Sequence, residues 1–146
     1  MRTRYNLPVL IAIALSLFLG GCILPIKEPP LSPQEVVTKF YRWYIGYPGN
    51  PLVDKEYRTS PYLAESFVQE VDETLASFDR GGADPFLLAQ DIPEQFTVDE
   101  VTVSGERAGV TINLYWGGNP IPSPRQVDLE LIGGEWKITR VSIPEQ

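Results

Sequence analysis

The 146-residue chain contains no histidine, and its one cysteine is Cys22. Histidine is the commonest general base and zinc ligand, so its absence excludes Ser-His-Asp triads, Cys-His nucleophile pairs and histidine-ligated zinc. A single cysteine cannot form a disulfide within the chain. An oxygen-rich, calcium-type site is the remaining metal option, and no Asp-x-Asp-x-Asp-Gly loop is present to form one. We therefore expect no metal, no cofactor and a non-enzymatic role.

Positive charge is also scarce. The chain carries 12 lysines and arginines against 19 aspartates and glutamates, which gives a net charge of −7. Such a surface repels the phosphate backbone of nucleic acids and the head groups of anionic lipids. We therefore expect no nucleic-acid partner, and we expect the folded domain to stand away from a membrane surface rather than lie on it.

The longest apolar run, residues 7–19, is shorter than the roughly 20 residues that a membrane-spanning helix needs. It follows Arg2 and Arg4 and ends at the small residues Gly20 and Gly21. A basic head, an apolar middle and small residues before a cleavage point are typical of a secretory signal peptide. Because Cys22 comes next, the segment resembles the leader of a bacterial lipoprotein. Secretion without a lipid and an uncleaved anchor are the alternatives.

The lipoprotein resemblance implies cleavage before Cys22 and attachment of acyl chains such as palmitate to its thiol. More than one chain is enough for stable anchoring, so the expected location is the cell membrane or the outer membrane, outside the cytoplasm. We expect a signal peptide over residues 1–21, the lipidated cysteine and a proline-rich tether over 22–33, and a single α+β domain over 34–146. The four prolines of the tether favour an extended spacer that rises about 3.1 Å per residue.

The start of the domain predicts an amphipathic helix. Residues 32–35, Ser-Pro-Gln-Glu, form a capping-box pattern with proline at the first helical position. Apolar residues then recur three and four apart until Gly46 and the turn residues 48–51 end the pattern. This apolar stripe is strongly aromatic, which suits either the edge of a core or the wall of a pocket.

A second helix is predicted to begin near Ser60 and Pro61. Apolar residues recur three and four apart from Leu63 to Phe78, and Arg80 followed by two glycines is a suitable end. The next segment, residues 84–91, has the sequence DPFLLAQD. Asp84 before a proline suits the cap of a short helical turn.

The remainder of the chain has the alternating pattern of strands, and four are predicted. Turns at residues 105–106 and 133–134 and a proline-rich loop at 117–124 separate them. Slips in the alternation at residues 99–100 and near 139–140 predict β-bulges. Strands joined by short turns are antiparallel. The predicted fold class is therefore α+β, with two N-terminal helices packed on a curved four-stranded antiparallel sheet.

Three segments carry a further resemblance: the aromatic helix FYRWY at 40–44, DPFLLAQD at 84–91 and GGEWKI at 133–138. Together they resemble the DUF3828 family, which contains bacterial, often lipid-anchored proteins whose function is unknown. That family is similar to the NTF2-like superfamily. The resemblance implies a cone in which the sheet wraps around a long helix, often with a pocket at the mouth, and a homodimer formed through the sheet.

Six residues are candidates for binding a ligand. They are Tyr41, Tyr44, Asp84, Gln90, Asp91 and Trp116. Aromatic rings with a few polar groups suit a pocket for a small apolar or amphiphilic ligand, or for a peptide. We therefore expect a membrane-anchored binding module.

Two alternatives stay open. The first is a cell-envelope assembly or interaction protein that uses the outer face of the sheet, where Thr111, Asn113 and Tyr115 should lie. The second is an isomerase-like enzyme of the NTF2-like fold, with Asp84 or Asp91 as the base and a tyrosine as the oxyanion donor. Against the enzyme, Asp84 is also explained as a helix cap and Asp91 as a turn residue.

Overall fold

A computed structural model of the chain describes residues 29–78 and 81–145. The predicted signal peptide, Cys22 and most of the predicted tether lie outside these residues. The helices are α1 (Pro33–Gly46), a short 3₁₀ helix (Glu56–Thr59) and α2 (Glu65–Ser77). The strands are β1 (Gln95–Ser104), β2 (Arg107–Tyr115), β3 (Ser123–Ile132) and β4 (Glu135–Ser142). They form one antiparallel sheet in chain order, so the predicted α+β fold is confirmed.

Helix α1 begins where its sequence predicts. The Ser32 hydroxyl accepts a hydrogen bond from the Glu35 backbone N–H, and the Glu35 carboxylate accepts one from the Ser32 backbone N–H. These two bonds satisfy donors that the first helical turn leaves unpaired, and Pro33 has no N–H to satisfy. The helix ends at Gly46, as predicted.

Helix α2 begins later than predicted, at Glu65 instead of near Ser60. Its N-cap, Ala64, offers no side-chain hydrogen bond. The preceding residues are instead drawn to the sheet: the Ile138 N–H donates to the Tyr62 carbonyl at 2.8 Å, and the Ala64 N–H donates to the Ile138 carbonyl at 2.9 Å. This pairing with the edge of β4 uses the backbone groups that another helical turn would need. The helix also ends earlier, at Ser77, and Arg80 lies outside the described residues.

The two predicted hairpin turns and both predicted bulges are confirmed, whereas the loop predicted at 117–124 is shorter, because Ser123 and Pro124 already pair with β2. The strand pairs turn at 105–106 and 133–134. The register between β1 and β2 shifts between Val98 and Val101, which leaves Asp99 and Glu100 in a bulge. Between β3 and β4, Asp128 pairs with Arg140 whereas Leu129 pairs with Ile138, so the second bulge is at position 139.

The core lies between the helices and the inner face of the sheet. Alternate residues of β2 from Ala108 to Leu114 are buried there, together with the apolar side of α1 and Phe67 and Val71 of α2. Thr111, Asn113 and Tyr115 are half-buried and alternate with the inward residues, so they lie on the outer face as predicted. Phe40, Tyr41 and Tyr44 of the aromatic stripe therefore belong to the core, whereas Trp43 is half-buried at its edge.

Candidate functional site

Tyr44 and Asp84 form a hydrogen-bonded pair between α1 and the 84–91 segment. The Tyr44 hydroxyl donates to Asp84 Oδ2 at 2.6 Å. Asp84 Oδ1 accepts from the backbone N–H groups of Phe86 and Leu87 at 2.8 and 3.1 Å. The carboxylate thus caps the turn, as its position before a proline predicts, and also holds a tyrosine 40 residues earlier in the chain.

The hydroxyl of the second tyrosine, Tyr41, is also hydrogen-bonded within the fold. It is fully buried, and its hydroxyl donates to the Phe86 carbonyl at 2.8 Å. Burial and the nearby Asp84 carboxylate raise the pKa of both Tyr41 and Tyr44 far above the usual value for tyrosine. Both hydroxyls therefore stay protonated and act as hydrogen-bond donors.

Burial raises the pKa of Asp84, because desolvation of the carboxylate outweighs the three hydrogen bonds it accepts. None of five surface clefts formed by the described residues is lined by Tyr41, Tyr44 or Asp84. A tyrosine and a carboxylate lie together here, as the isomerase-like alternative requires. Both carboxylate oxygens, however, already accept hydrogen bonds from Tyr44 and from backbone N–H groups. None of these five clefts reaches them.

We expect the stability that depends on Asp84 to fall as pH rises. A raised pKa in the folded state favours the protonated carboxyl, so its contribution is full below the ordinary value of 3.8 and is lost as pH rises through the folded pKa. Asp84→Asn keeps the shape without the charge. Urea unfolding from about pH 3 to about pH 7 should show the variant gaining stability relative to the natural chain. The opposite trend would mean that the hydrogen bonds outweigh desolvation.

Arg125 is the site residue that sequence reasoning missed. It lies on β3, is only 5% exposed, and reaches across to the 84–91 segment. Its Nε donates to the Leu87 carbonyl at 2.6 Å, and a terminal nitrogen donates to the Leu88 carbonyl at 3.3 Å. Burial lowers the pKa of Arg125. The sequence did contain one signal. Arg125 lies two residues before Val127 and four before Leu129, so its side chain faces the same inner side of β3. A charged side chain on that side requires buried hydrogen-bond partners.

The other three candidates lie apart from the tyrosines. Gln90 and Asp91 are exposed, and Trp116 is half-buried. The Trp116 indole N–H donates to the backbone carbonyl of Asp91 at 3.0 Å, so this contact uses the backbone rather than the carboxylate. The structure thus brings Tyr41, Tyr44 and Asp84 together and places Gln90, Asp91 and Trp116 at the surface. It does not join the six into one pocket.

Two adjoining surface clefts lie elsewhere. The larger has a volume of about 610 Å³ and lies between the start of α1 and the β3–β4 hairpin. The second, of about 440 Å³, continues along α1 and shares Lys39, Pro61 and Tyr62 with the first. We call the two together the α1–hairpin groove. Its principal side chains are Lys39, Arg42, Trp43, Tyr62, Trp136 and Lys137.

Two other findings concern only residues 29–78 and 81–145. No helix there has both the length and the apolarity needed to cross a bilayer. That part of the chain also has no group of three or more carboxylate, histidine or cysteine side chains placed to hold a metal ion.

No family model matches the chain, and no curated protein matches it. Among solved structures, it is similar to a chain of the type VI native effector–immunity complex Tae3–Tai3 from Ralstonia pickettii, with 23% identity and a TM-score of 0.64. That match covers 79% of this chain and 97% of the other. The selenomethionine form of the same complex gives 24% identity and a TM-score of 0.62, over 79% and 98% of the two chains. These likenesses establish a shared fold.

A more distant likeness is to the de novo designed NTF2 fold protein NT-9. It has 17% identity and a TM-score of 0.40, and covers 77% of this chain and 85% of the other.

Proposed function

We propose that this protein is a lipid-anchored, non-enzymatic module of the cell envelope that binds another protein through its surface. The observation that carries the proposal is that the polar groups of the buried candidate residues are already hydrogen-bonded within the fold. Tyr41, Tyr44 and Asp84 are bonded to groups of the fold, and no described cleft opens onto them. A binding function therefore needs a surface site, and the α1–hairpin groove, with clefts of about 610 and 440 Å³, is the one that we propose.

The fold likeness supports a protein partner. The similar chain is part of an effector–immunity complex, and this chain covers 97% of its length. A fold of this kind is thus compatible with a role inside a protein–protein complex. We also propose, from the motifs at 40–44, 84–91 and 133–138, that the chain is related to the DUF3828 family.

The outer sheet face supports an assembly role less well. Its exposed and half-buried side chains are mainly polar, for example Thr111, Asn113 and Gln126, and the Thr111 hydroxyl and the Gln126 side chain lie 3.2 Å apart in a hydrogen bond. Large apolar patches mark many assembly surfaces. Homodimerisation through this face is therefore not the arrangement that we propose.

A second candidate is narrower: the chain is one member of a type VI effector–immunity pair. The observation that favours it is the similarity to a chain of the Tae3–Tai3 effector–immunity complex over nearly all of that chain. Chemical crosslinking of the protein in its native envelope, followed by mass spectrometry of the adducts, tests both candidates. A type VI effector or immunity protein among the adducts would support the narrower one. A different envelope protein would support only the general proposal, and adducts of the chain with itself would instead indicate a homodimer.

The anchor has its own test. Cys22→Ala should abolish incorporation of a palmitate analogue, because the chain has no other cysteine. The variant should either leave the membrane fraction or accumulate as the uncleaved precursor. Ser32→Ala, which alters only the cap of α1, should keep the label and serves as the control. Recovery of the Cys22→Ala protein with membranes at the mature size would contradict the anchor.

A further inference from the structure

The α1–hairpin groove has an aromatic floor fixed by the core. Trp43, Tyr62 and Trp136 are each half-buried and pack against core residues. Trp43 is held between neighbouring rings, with centroids 5.9 Å from Phe40 and 6.0 Å from Tyr44. Rings that are already ordered lose little conformational freedom when a partner covers them. Covering these three rings with an extended chain would therefore cost little side-chain entropy.

The groove also has a charge balance unlike that of the protein as a whole. Lys39, Arg42 and Lys137 line it, against the carboxylates of Glu56 and Glu135. Lys137 is already engaged, since it donates to Glu135 at 2.7 Å and to the Pro61 carbonyl at 2.6 Å.

The two remaining cations are exposed on α1. Lys39 lies one helical turn from Glu35, with which it interacts electrostatically. Arg42 forms no ion pair with any residue in the described ranges. The cations in the groove therefore exceed its carboxylates by one, in a chain whose net charge is −7.

One backbone position at the groove has no partner among the described residues. Ile138 points its N–H and C=O away from β3, toward Tyr62 and Ala64. Groups along an antiparallel strand alternate between its two sides, so Trp136, two residues before, points its own N–H and C=O to the same free edge. Among the described residues, no hydrogen bond reaches these groups from outside the sheet. They lie beside the groove that Trp136 lines.

We propose that the α1–hairpin groove binds an extended, acidic segment of a partner protein, which pairs with the backbone of Trp136 and places its carboxylates near Lys39 and Arg42. This inference rests on the proposed protein-binding function and specifies the partner's chemistry. A strand added to a sheet edge gains affinity from main-chain hydrogen bonds and specificity from side-chain contacts. An anionic membrane is the less suitable occupant, because the acidic domain is repelled by it and the groove is concave.

Site-specific photo-crosslinking in the native envelope tests the inference. A photoreactive phenylalanine analogue replaces Tyr62 in the groove or, as the matched control, Thr111 on the outer sheet face. We expect a protein adduct from position 62 and not from position 111. The double variant Lys39→Glu/Arg42→Glu should reduce the adduct about tenfold, because it places carboxylates opposite those of the partner. Lys55→Glu, an exposed lysine outside the groove, should leave the yield unchanged.

The outcomes separate this inference from the proposed function. If position 111 crosslinks to a protein as well as position 62 does, or if the double variant keeps its adduct, the groove assignment is wrong while protein binding stands. A lipid adduct at position 62 would show that the groove contacts the membrane and would overturn the inference. If neither position yields a protein adduct, and chemical crosslinking yields none, the proposed function is wrong as well.

A defined peptide provides a second measurement. The probe is a fluorescent peptide of alternating glutamate and valine, compared with its lysine–valine counterpart on the mature chain. Fluorescence anisotropy should show about tenfold tighter binding of the acidic peptide, with the difference shrinking as salt screens the charges. Equal or tighter binding of the basic peptide would overturn the inference. Circular dichroism of the double variant confirms that any loss is not due to unfolding.

Discussion

Replacing Phe86 with alanine should lower the free energy of unfolding by about 3–5 kcal/mol. Phe86 is fully buried at the centre of the aromatic core. Its ring centroid lies 5.2–5.6 Å from those of four other rings, Phe40, Tyr44, Tyr57 and Phe67. These rings come from α1, the 3₁₀ helix and α2, so the deletion leaves a cavity where three elements meet.

Urea unfolding of the Phe86→Ala variant measures this loss. The control is Phe78→Ala, which removes the same atoms from a side chain that is 37% exposed and should cost much less. Phe86→Leu keeps most of the volume and should fall between the two. Equal losses for Phe78→Ala and Phe86→Ala would show that the ring cluster does not dominate the core.

Replacing Arg125 with alanine should cost about 3 kcal/mol, through lost packing and lost hydrogen bonds. The Leu87 carbonyl, which accepts from Arg125 Nε at 2.6 Å, would lose its buried partner. The 84–91 segment would also lose the contact that ties it to β3. We expect a lower unfolding midpoint together with faster amide exchange in this segment.

Two other variants separate the causes. Arg125→Met restores much of the apolar length without the donors, so its remaining loss measures the hydrogen bonds. Arg140→Ala removes an arginine that forms an exposed ion pair with Asp128, and should change stability by less than about 1 kcal/mol. If Arg125→Met is as stable as the natural chain, the buried hydrogen bonds contribute nothing measurable and packing alone explains the alanine variant.

Local patterns were enough to predict most elements of the fold. The capping box placed the start of α1 at the correct residue, and the slips in alternation placed both bulges. These features depend on residues within a few positions of one another. The start of α2 was misplaced because Tyr62 and Ala64 are bonded to Ile138, more than 70 residues later in the chain. No local pattern contains that pairing.

The candidate site shows the same division. Asp84 was predicted as a helix cap and as a ligand-binding residue, and the structure places it as a cap that also binds Tyr44. The sequence identified tyrosines and a carboxylate as candidates. It did not show that the Tyr44 hydroxyl and the Asp84 carboxylate are hydrogen-bonded to each other inside the fold. Arg125 was missed because its partners are backbone carbonyls of another segment, which have no sequence signature.

The α1–hairpin groove was not predicted either. Its lining comes from residues 29–31, α1, the 3₁₀ helix with the loop after it, and the β3–β4 hairpin, and no one of these parts indicates a groove in the sequence. Trp43 and Trp136 each fit an apolar pattern, so both suit a core position. The groove exists because Pro61 and Tyr62 lie beside the β4 edge, and this placement follows from tertiary pairing.

The pairing of the 62–64 segment with Ile138 also governs when the domain can fold. Ile138 pairs with residues more than 70 positions earlier, and the Lys137 ammonium bonds the Pro61 carbonyl 76 positions earlier. Contacts of such long sequence separation form late, because the closure entropy must be overcome first. A ribosome must therefore have synthesised the chain through β4 before the sheet can close. Until then the nascent 62–64 segment lacks the strand with which it pairs.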